Sequence, residues 1–226
     1  MQDFAPGSPT QQTPRSRKNF AGGWTSVTND SIFTGLRSIA DALRAAKRAF
    51  AVVGGLAVSV RGEPRFTRDV DVVVVVLNDR DMETLVFDLG ALGYRTVALV
   101  EHESRLRLST ARLATPAGLI VDLIAATCGI EQEIVERAQP VRIAAAGDLP
   151  VARAEELLAM KVLSMSERRP QDRMDAVNLV LVNPALDLEV VRANLGLIVA
   201  RGFDRGENLA SRLDSVLTAA REQQAS

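Results

Sequence analysis

Three aspartates lie in or beside the two most apolar runs of the chain. Asp69 and Asp71 begin the run DVDVVVVV, and their spacing places both carboxylates on one face of an extended strand. Asp122 lies inside a second run, GLIVDLIAA, where an acid is not readily solvated. If the two strands are neighbours, the three carboxylates converge, and such oxygen ligands suit Mg²⁺. The sequence thus predicts a site for one or two Mg²⁺ ions; the alternative is a solvated strand start at Asp69 and Asp71.

A pair of glycines, Gly54 and Gly55, ends the preceding apolar stretch and begins a short helical one. Backbone N–H groups at such a turn can bind phosphate, and only glycine lets the backbone approach it closely. A glycine turn beside carboxylates is the arrangement that binds a metal ion together with a nucleoside triphosphate. We therefore expect an NTP as the ligand of this site.

Two motifs of the chain resemble a known family. The pattern GG-x-A-x4-G-x2-R-x-T-x-D-x-D resembles the signature of the nucleotidyltransferase superfamily. It is filled by Gly54, Gly55, Ala57, Gly62, Arg65, Thr67, Asp69 and Asp71. A second pattern, K-x6-R-x3-D-x2-D, is filled by Lys161, Arg168, Asp172 and Asp175. The two together resemble more closely the AbiEii-like branch, the toxins of type IV toxin–antitoxin systems, over roughly residues 50 to 180.

The resemblance implies transfer of a nucleoside monophosphate from an NTP to an acceptor hydroxyl, with release of pyrophosphate. It implies metal binding by Asp69, Asp71 and Asp122, with Asp122 doubling as the general base. It implies nucleotide binding by the remaining motif residues, namely Gly54, Gly55, Arg65, Thr67, Lys161 and Asp175. Lys161 would act as a point charge on the phosphates, and the alternative is a lysine at a helix edge. Asp172 and Asp175 have the alternative of surface pairing with Arg168 or Arg169.

The acceptor is open between two chemical classes. By analogy with the toxin branch it is tRNA, and an antitoxin protein is then a partner. The alternative is a small molecule, as in the antibiotic-modifying nucleotidyltransferases. A third interpretation is a nucleotide-binding module without catalysis, which the presence of all three carboxylates disfavours.

The elements that must position these residues indicate an α+β fold. Strands are predicted around residues 50–53, 69–77, 94–100, 105–114 and 119–124, with helices over 31–48, 56–62 and 78–93. After Pro150 the pattern is wholly helical, over 153–168, 170–183, 187–201 and 206–221. We expect a nucleotidyltransferase-type mixed β-sheet with flanking helices, followed by a C-terminal helical bundle. The predicted division is a flexible segment at 1–28, an α/β domain at 29–148 and a helical domain at 149–226.

Composition narrows the classes of site and partner. One cysteine and one histidine in 226 residues argue against a zinc site and permit no intrachain disulfide. We expect a cytoplasmic protein with no membrane partner, because the chain has neither a long apolar span nor the pattern of a signal peptide. A net charge of −1 means that RNA would need a local basic patch. The arginines at 105, 107 and 112 either follow an RNA backbone or form a solvated outer face.

Overall fold

The computed structural model describes residues 29–65, 67, 69–102 and 107–225. The segment predicted to be flexible, residues 1–28, lies outside this range, as does Arg105.

Within the described residues, seven strands form one mixed sheet in the order β3-β4-β5-β2-β1-β7-β6. The pairs β2–β5 and β1–β7 are parallel, and the other neighbours are antiparallel. The strands are β1 (Phe50–Val53), β2 (Asp69–Val74), β3 (Arg95–His102), β4 (Arg107–Ala114), β5 (Ile120–Ile124), β6 (Gln139–Ile143) and β7 (Gly147–Val151).

Helices accompany the sheet and then follow it. Those interleaved with the strands are α1 (Asn29–Ala45), α2 (Gly54–Arg61), α3 (Asp79–Ala91) and α4 (Glu131–Arg137). Those after the last strand are α5 (Ala154–Ser164), α6 (Pro170–Val182), α7 (Leu188–Ala200) and α8 (Leu209–Gln224). The expected α+β class, a mixed sheet followed by a C-terminal group of helices, is confirmed.

The two apolar strands at the centre of the sheet are buried because helices cover them. Every residue of β1 is buried, and so are Val70, Val72, Val73 and Val74 of β2. Helices α1, α2 and α4 pack on this part of the sheet. In α1 the stripe with helical spacing faces the core, as predicted: Ile32, Leu36, Ile39 and Leu43 are all buried. The acidic residues at the start of β2 therefore lie beside an apolar, buried part of the sheet.

The sequence did not predict four elements between residues 131 and 151, namely α4, β6, β7 and a single 3₁₀ turn at Ala144–Ala146. Proline explains why the sequence did not predict the two strands, because a proline within a run argues against a strand. Pro140 of β6 lies opposite Pro150 of β7. β6 is an edge strand, where the missing N–H can face away from the ladder.

The boundary expected at residue 148 falls inside β7, so the wholly helical part begins at Ala154. A single cluster of buried apolar side chains extends from α1 through the sheet to α8. The division into an α/β and a helical domain stays a prediction.

Cys128, the one cysteine of the chain, follows β5 and is buried. Its backbone N–H donates to the Glu131 carboxylate at 2.8 Å. Burial first, and then the charge of Glu131, raise the pKa of this thiol well above its ordinary value. None of the helices in the described ranges has the length and apolar character needed to cross a bilayer.

Candidate active site

The strand order brings the three aspartates together. β2 and β5 are adjacent and parallel, and their register places Asp71 directly beside Asp122. Asp69 lies two residues before Asp71 on the same strand and on the same face. Asp69 and Asp71 are half-buried, and Asp122 is buried. The condition set by the sequence, that the two apolar strands be neighbours, is met.

The glycine turn between β1 and α2 lies against Asp71. Val53, the last residue of β1, pairs with Asp71 across the antiparallel β1–β2 ladder. Gly54 has φ +65°, and a Cβ there would lie 1.8 Å from Asp71 Oδ2, so no other residue fits without displacing the acid. The Gly55 N–H donates to the Asp71 carboxylate. The turn and the aspartate are therefore one structural unit.

Gly55 is also enclosed, on its other side, by motif residues. A Cβ at this position would lie 2.8 Å from Arg65 Nη2 and 2.9 Å from Thr67 Oγ1. Thr67 donates from its hydroxyl to the Asp69 carbonyl oxygen at 3.2 Å, which holds the start of β2. Arg65 and Thr67 thus lie against the glycine turn, and nucleotide binding by these two residues stays a prediction.

The folded protein disfavours the ionised form of the Asp71 carboxyl group. Its pKa is raised to about 6, firstly by burial and then by the negative charges of Asp122 and Asp69. The Lys161 ammonium and the Gly55 N–H act in the opposite direction. A cation bound at Asp69 and Asp71 would relieve this repulsion.

Arg112, for which the sequence suggested either contact with an RNA backbone or a solvated outer face, instead pairs with an aspartate of this cluster. β4 and β5 are antiparallel, and their register pairs Arg112 with Asp122. Arg112 Nε donates to Asp122 Oδ1 at 2.8 Å, and Nη2 donates to Oδ2 at 2.6 Å. These hydrogen bonds, and then the charge of Asp122, raise the pKa of the guanidinium. Arg107, five residues earlier on β4, contacts Asp79 at 3.4 Å instead.

The carboxylates fit one hard cation better than two. Among the described residues, no group of three or more Asp, Glu, His or Cys side chains is arranged to hold a metal ion. Both carboxylate oxygens of Asp122 already accept hydrogen bonds from Arg112. Asp69 and Asp71 offer the oxygen donors that Mg²⁺ prefers. Metal binding by all three aspartates stays a prediction, and the present arrangement does not fit a second ion on Asp122.

The C-terminal motif meets the N-terminal one at a buried aspartate. Asp175 of α6 is fully buried and accepts hydrogen bonds from Arg65 Nη2 and from Gln171, each at 2.8 Å. Lys161 Nζ of α5 lies 2.8 Å from Asp175 Oδ2 and 2.6 Å from Asp172 Oδ1. The two motifs are therefore joined by a network of ion pairs, and Arg168 stays exposed beside it.

Asp175 is ionised within this network. Burial alone would raise its pKa, but hydrogen bonds from Lys161, Arg65 and Gln171 outweigh burial and lower it. Lys161 is in turn held by two carboxylates, with 12% of its side chain exposed. The surface pairing considered for Asp172 exists only as a 3.9 Å contact with Arg169. Lys161 is thus positioned by the network, with its charge acting on Asp71.

A cleft of about 630 Å³ opens next to the aspartates. Asp71 and Asp122 form part of its wall. Its other polar lining includes residues from β3, from the loop after α5 and from the loop after α7: Glu101, His102, Arg169 and Arg205. The cleft therefore places both acidic and basic groups within reach of a molecule bound at the carboxylates.

Comparison with known proteins gives structural neighbours only. No family model matches the chain, and no curated protein matches it. An antigenic nucleotidyltransferase-like protein from Paracoccidioides brasiliensis is 18% identical, with a TM-score of 0.47 over 83% of this chain and 94% of that one. The lincomycin-bound lincosamide antibiotic adenylyltransferase LnuA is 17% identical, with a TM-score of 0.45 over 69% of this chain and 98% of that one. The Thermotoga maritima CCA-adding enzyme complexed with tRNA is 14% identical, with a TM-score of 0.34 over 84% and 51%.

Proposed function

We propose that this protein is a nucleotidyltransferase that moves a nucleoside monophosphate from an NTP to an acceptor hydroxyl. The observation that carries the proposal is the position of Asp71, which is packed between the Gly54–Gly55 turn and Asp122. Carboxylates that repel one another favour a bound cation, and the neighbouring backbone donors and two cationic side chains favour a triphosphate. This arrangement supports the NTP predicted from the sequence and the nucleotidyltransferase superfamily to which the motifs pointed.

Eight residues of the two motifs have a role in this reaction. Asp69 and Asp71 would hold Mg²⁺, which when bound would neutralise charge that develops on the phosphates. The Gly54–Gly55 turn binds the β and γ phosphates, and Thr67 keeps the start of β2 in place. Arg65 and Lys161 supply positive charge, and Asp175 orients both of them.

Asp122 acts as the general base of the reaction. The acceptor oxygen attacks the α phosphorus, its proton passes to the Asp122 carboxylate, and the bond to the leaving pyrophosphate breaks. The bidentate pair with Arg112 fixes the orientation of this carboxylate. The transfer thus uses the aspartate that lies next to Asp71 and on the wall of the cleft.

We infer that the acceptor is tRNA, as for the AbiEii-like toxins that the two motifs resemble, and that an antitoxin protein controls the enzyme in the cytoplasm. Arg169 and Arg205 on the wall of the cleft support this acceptor, because they offer the local basic charge that an RNA backbone requires.

A small-molecule acceptor is the second candidate. The observation in its favour is the cleft volume of about 630 Å³, which lies inside the range of about 300–1,000 Å³ for small-molecule pockets. The acids on the cleft wall, Asp71, Asp122 and Glu101, would suit a cationic compound such as an aminoglycoside.

The first experiment incubates the full chain with Mg²⁺, each α-phosphate-radiolabelled NTP in turn, and total tRNA. Asp69→Asn and Asp71→Asn are the test variants, and Asp148→Asn, at an exposed position on β7, is the matched control. Label in tRNA with wild type and the control, and none with the test variants, supports the proposal. Label only in an added aminoglycoside or lincosamide supports the second candidate. Mg²⁺-dependent nucleotide binding without transfer to either acceptor indicates a binding module and contradicts the enzyme.

A further inference from the structure

Arg112, Asp122 and Asp71 form a row across three adjacent strands. The row follows from two registers, because Asp122 of β5 pairs with Asp71 of β2 on one side and with Arg112 of β4 on the other. A fixed cation therefore stands beside the third carboxylate of the cluster. No motif of the sequence included it.

The contact between Arg112 and Asp122 uses the full fork of the guanidinium. Two separate nitrogens each contact a separate oxygen, at 2.8 and 2.6 Å. The Asp122 side chain is only 12% exposed, whereas that of Arg112 is 45% exposed. A bidentate charge-assisted pair of this kind is among the strongest polar contacts that proteins make.

The pair opposes a second divalent ion at Asp122 in two ways. Such an ion would have to displace the guanidinium from the carboxylate oxygens, or bind within contact distance of its positive charge and be repelled by it. It would also find less negative charge than three free aspartates provide, because one unit is already balanced. Among the described residues, neither Asp69 nor Asp71 forms a close ion pair of this kind, and the two carboxylates lie on one face of β2.

We propose that Arg112 serves as a built-in second cation, so that the site holds one divalent ion, on Asp69 and Asp71. The guanidinium takes the place next to Asp122 where a second ion would otherwise bind. This inference rests on the proposed function, in that it assigns the number of ions used by the same site.

The test is a Mn²⁺ titration of the full chain, with free Mn²⁺ followed by electron paramagnetic resonance. We expect one bound ion in wild type and two in Arg112→Gln, because the substitution frees Asp122 and keeps a neutral polar side chain. Arg112→Lys keeps the charge and should bind one ion. Arg107→Gln is the matched control, since Arg107 lies on the same strand, pairs with Asp79 and has a side chain that is 42% exposed; it too should bind one ion.

The outcomes separate this inference from the proposed function. Two ions in wild type, with label transfer intact, overturn the role of Arg112 and leave the nucleotidyltransferase standing. One ion in both wild type and a folded Arg112→Gln, as judged by circular dichroism, also overturns it. No ion in wild type, together with no label transfer, removes the proposed function itself. Two ions in wild type overturn the inference even where Arg112→Gln does not fold.

Discussion

Asp71 combines three features that seldom occur together in a side chain kept only for packing. It lies at the start of a buried strand, it accepts from a glycine N–H, and two further acids repel it. Carboxylates of this kind are costly to a folded protein, and such costs concentrate at functional sites. The same features allow the cost to be measured.

We expect Asp71→Asn to stabilise the metal-free protein at neutral pH. In the folded chain the pKa of Asp71 is about 6, above its ordinary 3.8, so the folded state binds the proton more tightly than the unfolded state. The stability of wild type therefore falls as the pH rises from about 4 through 6, whereas the variant has no such loss. The expected gain at pH 7.5 is on the order of 2 kcal/mol, and it should vanish near pH 4.

Urea unfolding in the presence of a chelator measures this difference at both pH values. Asp148→Asn is the control, because the Asp148 side chain is 64% exposed and should change stability by less than about 0.5 kcal/mol. A variant less stable than wild type at pH 7.5 would contradict the prediction.

Asp175 connects the two motifs, because it forms ion pairs with Arg65 of the first and Lys161 of the second. Asp175→Ala leaves Arg65 and Lys161 without their shared carboxylate in a buried place, and we expect it to cost about 3–5 kcal/mol of unfolding free energy. Glu189→Ala is the contrasting control. It removes a 2.6 Å ion pair with Arg192, which is shorter than either ion pair of Asp175. The Glu189 side chain is 83% exposed, however, so about 0.5 kcal/mol or less is expected.

Chemical denaturation of both variants gives the comparison between the two ion pairs. Equal costs for the buried and the exposed pair would show that the Arg65–Asp175–Lys161 network contributes no more than a surface contact.

At this scale the sequence predicted the acids and the glycines but missed Arg112. Residue type and spacing indicated that Asp69, Asp71 and Asp122 would converge, because an acid in an apolar strand is unusual, and the strand register brings them together. Arginine in a strand is ordinary on a solvated face, and only the register of β4 against β5 shows what it contacts. The register depends on pairing across the sheet, which a local pattern does not contain.

At the scale of elements, the junction of β1 and α2 sets the geometry of the site. The chain has to turn within one residue, with φ +65° at Gly54, so that α2 starts directly beside Asp71. This geometry makes the glycine a structural requirement of the strand–helix junction as well as a phosphate-binding position.

We expect Gly54→Ala to abolish label transfer and to destabilise the fold, since the new Cβ would lie 1.8 Å from Asp71 Oδ2 in a backbone region that alanine rarely adopts. Gly90→Ala is the matched control. Gly90 lies within α3 with no atom within 4 Å of the added Cβ, and the substitution should stabilise by about 0.5–1 kcal/mol. Thermal melts and the transfer assay report both effects, and a Gly54→Ala variant that melts and transfers like wild type would refute the close contact.

Long elements with a clear period were predicted well, and short ones with mixed signals were not. The helix α1 and the strand β2 carry their period in their own residues, although β2 ends at Val74, earlier than expected, because its pairing with β1 begins at Phe50. The strands β6 and β7 owe their existence to pairing with each other and, for β7, with β1 at Val52. Because of their prolines, the local sequence pattern does not predict these two strands.

At the scale of the whole molecule, the sheet and the C-terminal helices share one core. The buried cluster is continuous from α1 to α8, α5 and α6 both pack on α2, and Asn183 donates to the Arg61 carbonyl. Elements that share a core and polar contacts unfold together. The two predicted domains are therefore expected to behave as one cooperative unit.

We expect calorimetry of the full chain to show one transition with equal calorimetric and van't Hoff enthalpies. A chain ending at residue 148 loses Val151, the partner of Val52, together with the buried face of α5, and should show no cooperative melt. The full chain without residues 1–28 is the control for truncation itself. Two resolved transitions in the full chain would instead support two independent domains.

The burial of Cys128 has a practical consequence for watching this molecule work. A lone thiol that is enclosed and reluctant to ionise should stay unreacted toward maleimide reagents at neutral pH. The natural chain thus gives no labelling background. Cysteines can be added at Glu101 and Arg169, which are exposed and both line the cleft. Spin labels on that pair would report the width of the cleft directly, with and without nucleotide.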